Sequence, residues 1–359
     1  MIILTQKREL TYHDEQNRNN IVKLRQILDT LPPFCKEFFY GISEYTSTRT
    51  RLAYAYDLRV FFEFLHEKNN LCAKEKITDF RLEILDMITR DDILEYLSFM
   101  SYYSKDGKEI TNEERGKKRK IASLRSFYKY FFENEKIKTN PASLVAIPKQ
   151  HERDIIRLEP NEVAMLLDQV EDGTKLTKKE TEFHKKTKIR DIAILTLLLG
   201  TGIRVSECVG LDIKDVNFDV NGIRILRKGG KEAVVYFGDE VETALLDYME
   251  QRDYITPLEG HENALFLSLQ NRRITVRAVE NLVKKYASKV TTLKKITPHK
   301  LRSTYGTSLY QETEEIYLVA DVLGHNDVNT TRKHYAAQAD MHRRMAANKV
   351  RLREPKDSN

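Results

Sequence analysis

The 359 residues contain no tryptophan and only three cysteines. Cys35, Cys72 and Cys208 are odd in number and far apart, which excludes a disulfide framework and any C-x-x-C metal cluster. No apolar run approaches the ~18 residues that a membrane-spanning helix needs. The first ten residues, MIILTQKREL, lack the apolar segment of a secretory leader. No repeat of solenoid period, no Walker-type phosphate loop and no DxD- or DDE-like acidic cluster occurs. A cytoplasmic protein in a reducing compartment, with no membrane contact, is the expectation. At ~100–200 residues per domain, the length predicts two or three domains. A hydrophobic content of 41% is too high for a disordered chain.

Charge of one sign is also scarce, since the formal net charge is only +6. That is too little to argue for nucleic acid by itself, but it is unevenly placed. Residues 1–100 carry a net −2, residues 101–150 a net +6, and the remainder +2. Within the middle segment, Arg115, Lys117, Lys118, Arg119 and Lys120 lead into the helical pattern IASLRSFYKYFFENEK. There Ile121, Leu124, Tyr128 and Phe131 mark a buried face and Arg125 extends the basic side. Such a run is either a solvated surface or a helix end that meets nucleic-acid phosphates, where the helix dipole also favours anions.

The pattern reads as helical through residue 150, including 46–66 and the capped TRDDILEYLSFM at 89–100. A linker falls at about 148–158, and a new helix opens near Pro160. The lysine-rich stretch 171–190 reads as an exposed insertion. GIRILR and EAVVYF, separated by Lys228-Gly229-Gly230-Lys231, read as a β-hairpin. Further helices are expected at about 274–289, 298–311, 314–323 and from about 340.

Three short constellations carry chemistry. In Gly200-Thr201-Gly202-Ile203-Arg204, an apolar helix ends at a glycine turn and a single guanidinium follows. Arginine suits a phosphate because its planar fork donates two parallel hydrogen bonds and keeps its charge. In Thr297-Pro298-His299-Lys300-Leu301-Arg302, His299 and Arg302 lie three apart on one helix face, as an oxyanion clamp would. In Leu323-Gly324-His325, Gly324 ends a helix in left-handed geometry, and Tyr335 follows ten residues after His325.

The order Arg204, Lys228, His299/Arg302, His325, Tyr335 resembles the tyrosine recombinase family, and RKGGKE, ALFLS and TPHKLR resemble most its single-chain Xer members from Gram-positive bacteria. Ser303 stands where Xer proteins usually carry His, and the His325–Tyr335 interval is one residue longer than is usual in them. The resemblance implies a mainly α fold. Residues 1–35 would form an N-terminal extension and 36–147 a helical, SAM-like core-binding domain. Residues 159–359 would be an α+β catalytic domain with a small antiparallel sheet.

It further implies strand exchange on double-stranded DNA at specific recombination sites, through a 3′-phosphotyrosyl intermediate, in a homotetramer on two duplexes. Tyr335 would be the nucleophile, and Arg204 and Arg302 would neutralise the phosphate. His299 would assist proton removal from Tyr335 or hydrogen-bond the phosphate, and His325 would bond a non-bridging oxygen. Lys228, with Lys231 as runner-up, would be the general acid, and Glu207 would orient the site. Arg115, Lys117, Lys118, Arg119, Lys120 and Arg125 would contact DNA, and no metal, nucleotide or other cofactor is implied. The tail residues Met341, Met345, Ala346 and Val350 would dock on a neighbouring protomer. A nucleoid-associated role follows, in chromosome-dimer resolution or mobile-element movement. The rivals are a type IB topoisomerase-like enzyme and a catalytically silent DNA-binding protein of the same fold.

Overall fold

The computed structural model describes residues 11–69, 72–73, 75–105, 107–147, 156–227, 230–325 and 327–328. Lys228, Tyr335 and the expected helix from about 340 lie outside the described residues. The chain divides into two compact units, Met1–Glu152 and Arg153–Asn359.

The first unit runs α1 (Tyr12–Leu28), α2 (Cys35–Gly41), α3 (Thr48–Lys68), α4 (Ile84–Met87), α5 (Arg90–Phe99), β1 (Tyr102–Lys105), β2 (Lys108–Thr111) and α6 (Glu114–Glu133). Capping boxes start α1 and α5, where Thr11 pairs with Asp14 and Thr89 with Asp92. The antiparallel β1–β2 hairpin corrects the all-helical expectation for this half. Its register places Tyr103, whose ring stacks on Phe99 of α5, opposite Ile110. The basic run does not precede the helix either: α6 starts at Glu114, so the cations sit on its first two turns.

In the absence of tryptophan, phenylalanine fills this core. Phe127 is fully buried, with ring centroids of Phe38 and Phe131 at 5.1 Å, Phe62 at 6.1 Å and Phe34 at 6.2 Å. One ring thus ties α6 to α2, to α3 and to the segment before α2, mostly in edge-to-face pairs.

The second unit runs α7 (Pro160–Asp172), α8 (Lys178–Thr201), α9 (Val205–Gly210), β3 (Val216–Asn217), β4 (Gly222–Leu226), β5 (Glu232–Tyr236), α10 (Asp239–Asp253), α11 (Val276–Val290), α12 (Pro298–Thr313) and α13 (Ile316–Leu323). The strands form one antiparallel sheet in the order β3-β4-β5. Glu314, at φ +57°, breaks the chain between α12 and α13.

The expected insertion at 171–190 is corrected. A capping box of Thr177 and Glu180 starts α8, and His184 and Thr187 on its lysine-rich half are buried. The polar residues there serve internal bonding: Asp191, 1% exposed, accepts from Arg190, Thr187 and Tyr286, and Lys285 lies 3.3 Å away. That side chain joins α8 to α11, and its hydrogen bonds offset the cost of burying a polar group.

Phe127→Ala is expected to destabilise the first unit by about 3–5 kcal/mol, measured by chemical denaturation, because it removes the ring that the other aromatics share. A loss below about 1 kcal/mol would mean that the cluster repacks around the cavity.

Candidate active site

Helix α13 is only eight residues long and ends at Gly324, in left-handed geometry with φ +61°. A helix C-terminus leaves carbonyls without intrahelical partners and carries partial negative charge. Here every carbonyl from Ala320 to Gly324 accepts a hydrogen bond. The His325 N–H returns to Ala320 at 2.8 Å and the Gly324 N–H to Asp321 at 2.8 Å. Arg227 donates Nη1 to Asp321 at 3.0 Å and Nη2 to Val322 at 2.8 Å. Arg302 donates Nη2 to Leu323, and Arg204 donates Nη2 to Gly324 at 3.3 Å. Arginines from three separate elements thus converge on one helix end.

Each is delivered by local structure. Arg204 is the N-cap of α9, with its N–H and Nη1 both on the Glu207 carboxylate at 2.7 and 2.8 Å. Glu207 is 5% exposed, so this pairing fixes the guanidinium, as the orienting role requires. Arg302 rides on the second turn of α12, is 6% exposed, and donates Nη1 to the Gly202 carbonyl at 2.7 Å. Gly202 caps α8 at φ +63°, and a Cβ there would meet Tyr305 Cδ1 at 2.3 Å. The Gly-Thr-Gly turn is thereby seated against α12, which brings Arg204 and Arg302 to the same place. Arg227 follows β4; it opens the RKGGKE motif, whose pattern gives this arginine no role of its own.

Arg204, Arg227, Lys231, Asp321, Gly324, His325 and Asp327 are among the residues lining a cleft of about 450 Å³ at this helix end. His299 is exposed on the first turn of α12 and does not line that cleft; its carbonyl accepts from the Ser303 hydroxyl at 3.0 Å. Two other nucleophilic side chains of this unit, Cys208 and Tyr305, sit in surroundings that disfavour their anions. Burial pushes the Cys208 thiol up to about 12 and raises the Tyr305 phenol above its ordinary value. Among the described residues no cluster of His, Cys, Asp and Glu could hold a metal ion, and no helix is long and apolar enough to cross a membrane.

The basic patch on α6 is narrower than its charge run. Arg115, Lys118 and Arg119 are exposed, and Lys117 donates to Ser101 Oγ at 2.5 Å. Arg119 also bonds Asp57, which is 2% exposed. Burial raises the Asp57 carboxyl against the pull of Arg119 and Lys120. Lys120 is buried against Asn112 and Asp57, and burial lowers its ammonium. Arg125 donates to the carbonyls of Ala142, Ser143 and Val145, holding the segment after α6. Lys120 and Arg125 are therefore engaged by the fold of this unit, and the outward cations are Arg115, Lys117, Lys118 and Arg119.

Gly324→Ala is expected to lower the stability of the second unit by about 1–3 kcal/mol, because a side chain at this φ is strained. A Cβ would also press on the Arg227 guanidinium, 2.4–2.8 Å away. An unchanged melting temperature would show that the helix end relaxes without cost.

Residues 157–342, just over half of the chain, match the phage integrase family. A tyrosine recombinase XerC of Caldanaerobacter subterraneus subsp. tengcongensis is 34% identical over 331 residues, covering 89% of this chain and 86% of the relative. A tyrosine recombinase XerC of Leptospira interrogans is 30% identical over 306 residues, covering 85% and 88%. Among solved structures, XerH site-specific recombinase bound to a palindromic difH substrate, in a post-cleavage complex, matches in fold. The TM-score is 0.66 at 19% identity, over 92% of this chain and 89% of that one. With sequence relatives that span both units, the chain belongs to the phage integrase family, as a tyrosine recombinase of the Xer type.

Proposed function

We propose that this recombinase cleaves and rejoins DNA strands through Tyr335, with Arg204, Arg302, His325 and His299 acting on the scissile phosphate and a lysine of the β4–β5 turn as general acid. The observation that carries this reading is the convergence of Arg204 and Arg302 on the end of α13, beside His325. Glu207 and backbone carbonyls hold the two guanidiniums in place, and positive charge fixed in this way stabilises charge that develops during reaction without reorganising.

In the cleavage step the Tyr335 oxygen attacks phosphorus and gives up its proton, with His299 as the acceptor. The bond from phosphorus to the 5′-oxygen breaks with its electron pair. Lys228 supplies the proton to that oxygen. A phenol of ordinary pKa ~10 is a weak nucleophile at neutral pH, so the charge stabilisation from both arginines is essential. Religation reverses the step, because the phosphotyrosyl bond retains the energy of the one that was broken.

The relatives named as tyrosine recombinases and the solved complex with a difH substrate support DNA as the partner. The assembly we infer is four chains on two duplexes, with the first unit gripping DNA through Arg115, Lys117, Lys118 and Arg119. The tail beyond residue 340 docks on a neighbouring chain.

A nicked suicide duplex, selected from a randomised pool by covalent capture on the wild-type chain, tests the nucleophile. Wild type is expected to form a denaturant-resistant protein–DNA adduct and Tyr335→Phe none; an adduct in the Phe variant would move the nucleophile elsewhere. On the same duplex, the slope of log affinity against log salt reports the phosphates neutralised. Replacing Arg115, Lys117 and Lys118 with Gln is expected to reduce that slope by about two to three counterions. An unchanged slope would make the patch a solvated surface.

A further inference from the structure

Arg227 has a geometry unlike the other arginines at this helix end. Its main chain closes the turn that joins β4 to β5: the N–H donates to the Lys231 carbonyl at 2.8 Å, and its own carbonyl accepts from Gly230 at 3.1 Å. Its side chain leaves the sheet and reaches two successive carbonyls of α13, Asp321 and Val322. The guanidinium lies against Gly324, where a Cβ would sit 2.4 Å from Nη1, 2.6 Å from Cζ and 2.8 Å from Nε. Nε is buried and has no hydrogen-bond partner. With both Nη groups on successive carbonyls of α13 and Nε buried, the guanidinium is held in a single orientation against the helix end.

The turn that Arg227 closes has the sequence Arg-Lys-Gly-Gly-Lys, so it bears Lys228 and Lys231. Lys231 lines the cleft with His325. Small hairpins are marginal on their own, so a side-chain tether beside the turn adds to the ladder of β4 and β5. Proton transfer to a leaving group demands placement within hydrogen-bond reach, and a misplacement of about 1 Å costs ~100-fold in rate.

We propose that Arg227 is a positioning residue for catalysis: by binding the carbonyls of Asp321 and Val322, it fixes the lysine-bearing turn against the helix end that carries His325, and so sets the reach of the proton donor to the leaving 5′-oxygen. This rests on the reading that a lysine of the turn protonates that oxygen. Arginine is required because only a planar fork spans two successive carbonyls; a lysine ammonium on a flexible stem does not reproduce that geometry. Gly324 is the matching half of the device, since any side chain there would occupy the seat of the guanidinium.

The test compares the full-length chain with its Arg227→Ala, Arg227→Lys, Lys228→Ala and Lys231→Ala variants. Cleavage is measured on the captured suicide duplex and on the same duplex with sulfur in place of the bridging 5′-oxygen. A thiolate leaves without a proton, so sulfur bypasses the general acid. Arg227→Ala is expected to cleave the oxygen duplex ~100-fold more slowly than wild type and the sulfur duplex within about threefold, with DNA affinity unchanged in a mobility-shift assay. Equal losses on both duplexes would show that Arg227 merely supports the fold, and no loss on either would show that the turn is placed without it; both overturn the proposal.

Arg227→Lys is expected to recover less than about a tenth of the wild-type rate on the oxygen duplex, since charge without the fork does not hold two carbonyls; full recovery overturns the two-carbonyl geometry. If neither lysine variant recovers on sulfur, the general-acid reading fails, and Arg227 is still judged by its own sulfur-to-oxygen ratio.

Discussion

The end of helix α13 is the constraint on which the catalytic unit depends. Four carbonyls, from Asp321 to Gly324, accept from arginines carried by α9, α12 and the β4–β5 hairpin. The interaction is favourable in both directions. The helix dipole gains cations at its negative end, and the guanidiniums gain carbonyl acceptors that, for Arg227 and Arg302, hold them without a carboxylate's opposing charge. Charge-assisted hydrogen bonds of this kind each contribute about 1.5–3 kcal/mol. Without the helix end, Arg204 would keep Glu207 and Arg302 the Gly202 carbonyl, but Arg227 would lose both of its acceptors.

How much of this was legible in the sequence depended on whether a residue's neighbours in the chain were also its partners. Gly324 as a left-handed helix end, the Thr89 cap and the Arg204–Glu207 spacing are local, and the motif pattern carried them. The role of Arg227 was not legible. Its partners lie about a hundred positions away, and an arginine beside a Lys-Gly-Gly-Lys turn looks like part of a solvated charge run. The same limit explains the errors in the other direction. The lysine-rich half of α8 looked like an insertion because its buried residues are His184, Thr187 and Asp191, whose burial is enabled by tertiary hydrogen bonds that periodicity does not reveal. The β1–β2 hairpin was missed because its strands are four residues each, too short for an alternating pattern.

The α6 patch shows how formal charge overstates an electrostatic surface. Its cations were counted as one run, yet their environments diverge within a single turn. Lys118 faces solvent, Arg119 shares its charge with the buried Asp57, and Lys120 is drawn into the interior. Asp57 is the reason: a carboxylate of α3 held inside the unit needs cations, and α6 supplies them from the run that faces outward elsewhere. The buried apolar face of α6 sets its rotation about its axis, and Asp57 engages the two cations that this rotation brings beside α3.

The separation in sequence of the partners at α13 also bears on how the enzyme comes into being. Arg204 and Arg227 meet carbonyls 120 and 94 residues further along the chain. Contacts of that span form late in folding, after the loop between them has been ordered. An eight-residue helix has little stability by itself, so the carbonyls it offers exist as an ordered row only once α13 is docked. A chain in which α13 has not docked therefore leaves Arg204, Arg227 and Arg302 without these carbonyl partners. On the proposed roles of Arg204 and Arg302, strand cleavage would require a chain in which α13 is already docked.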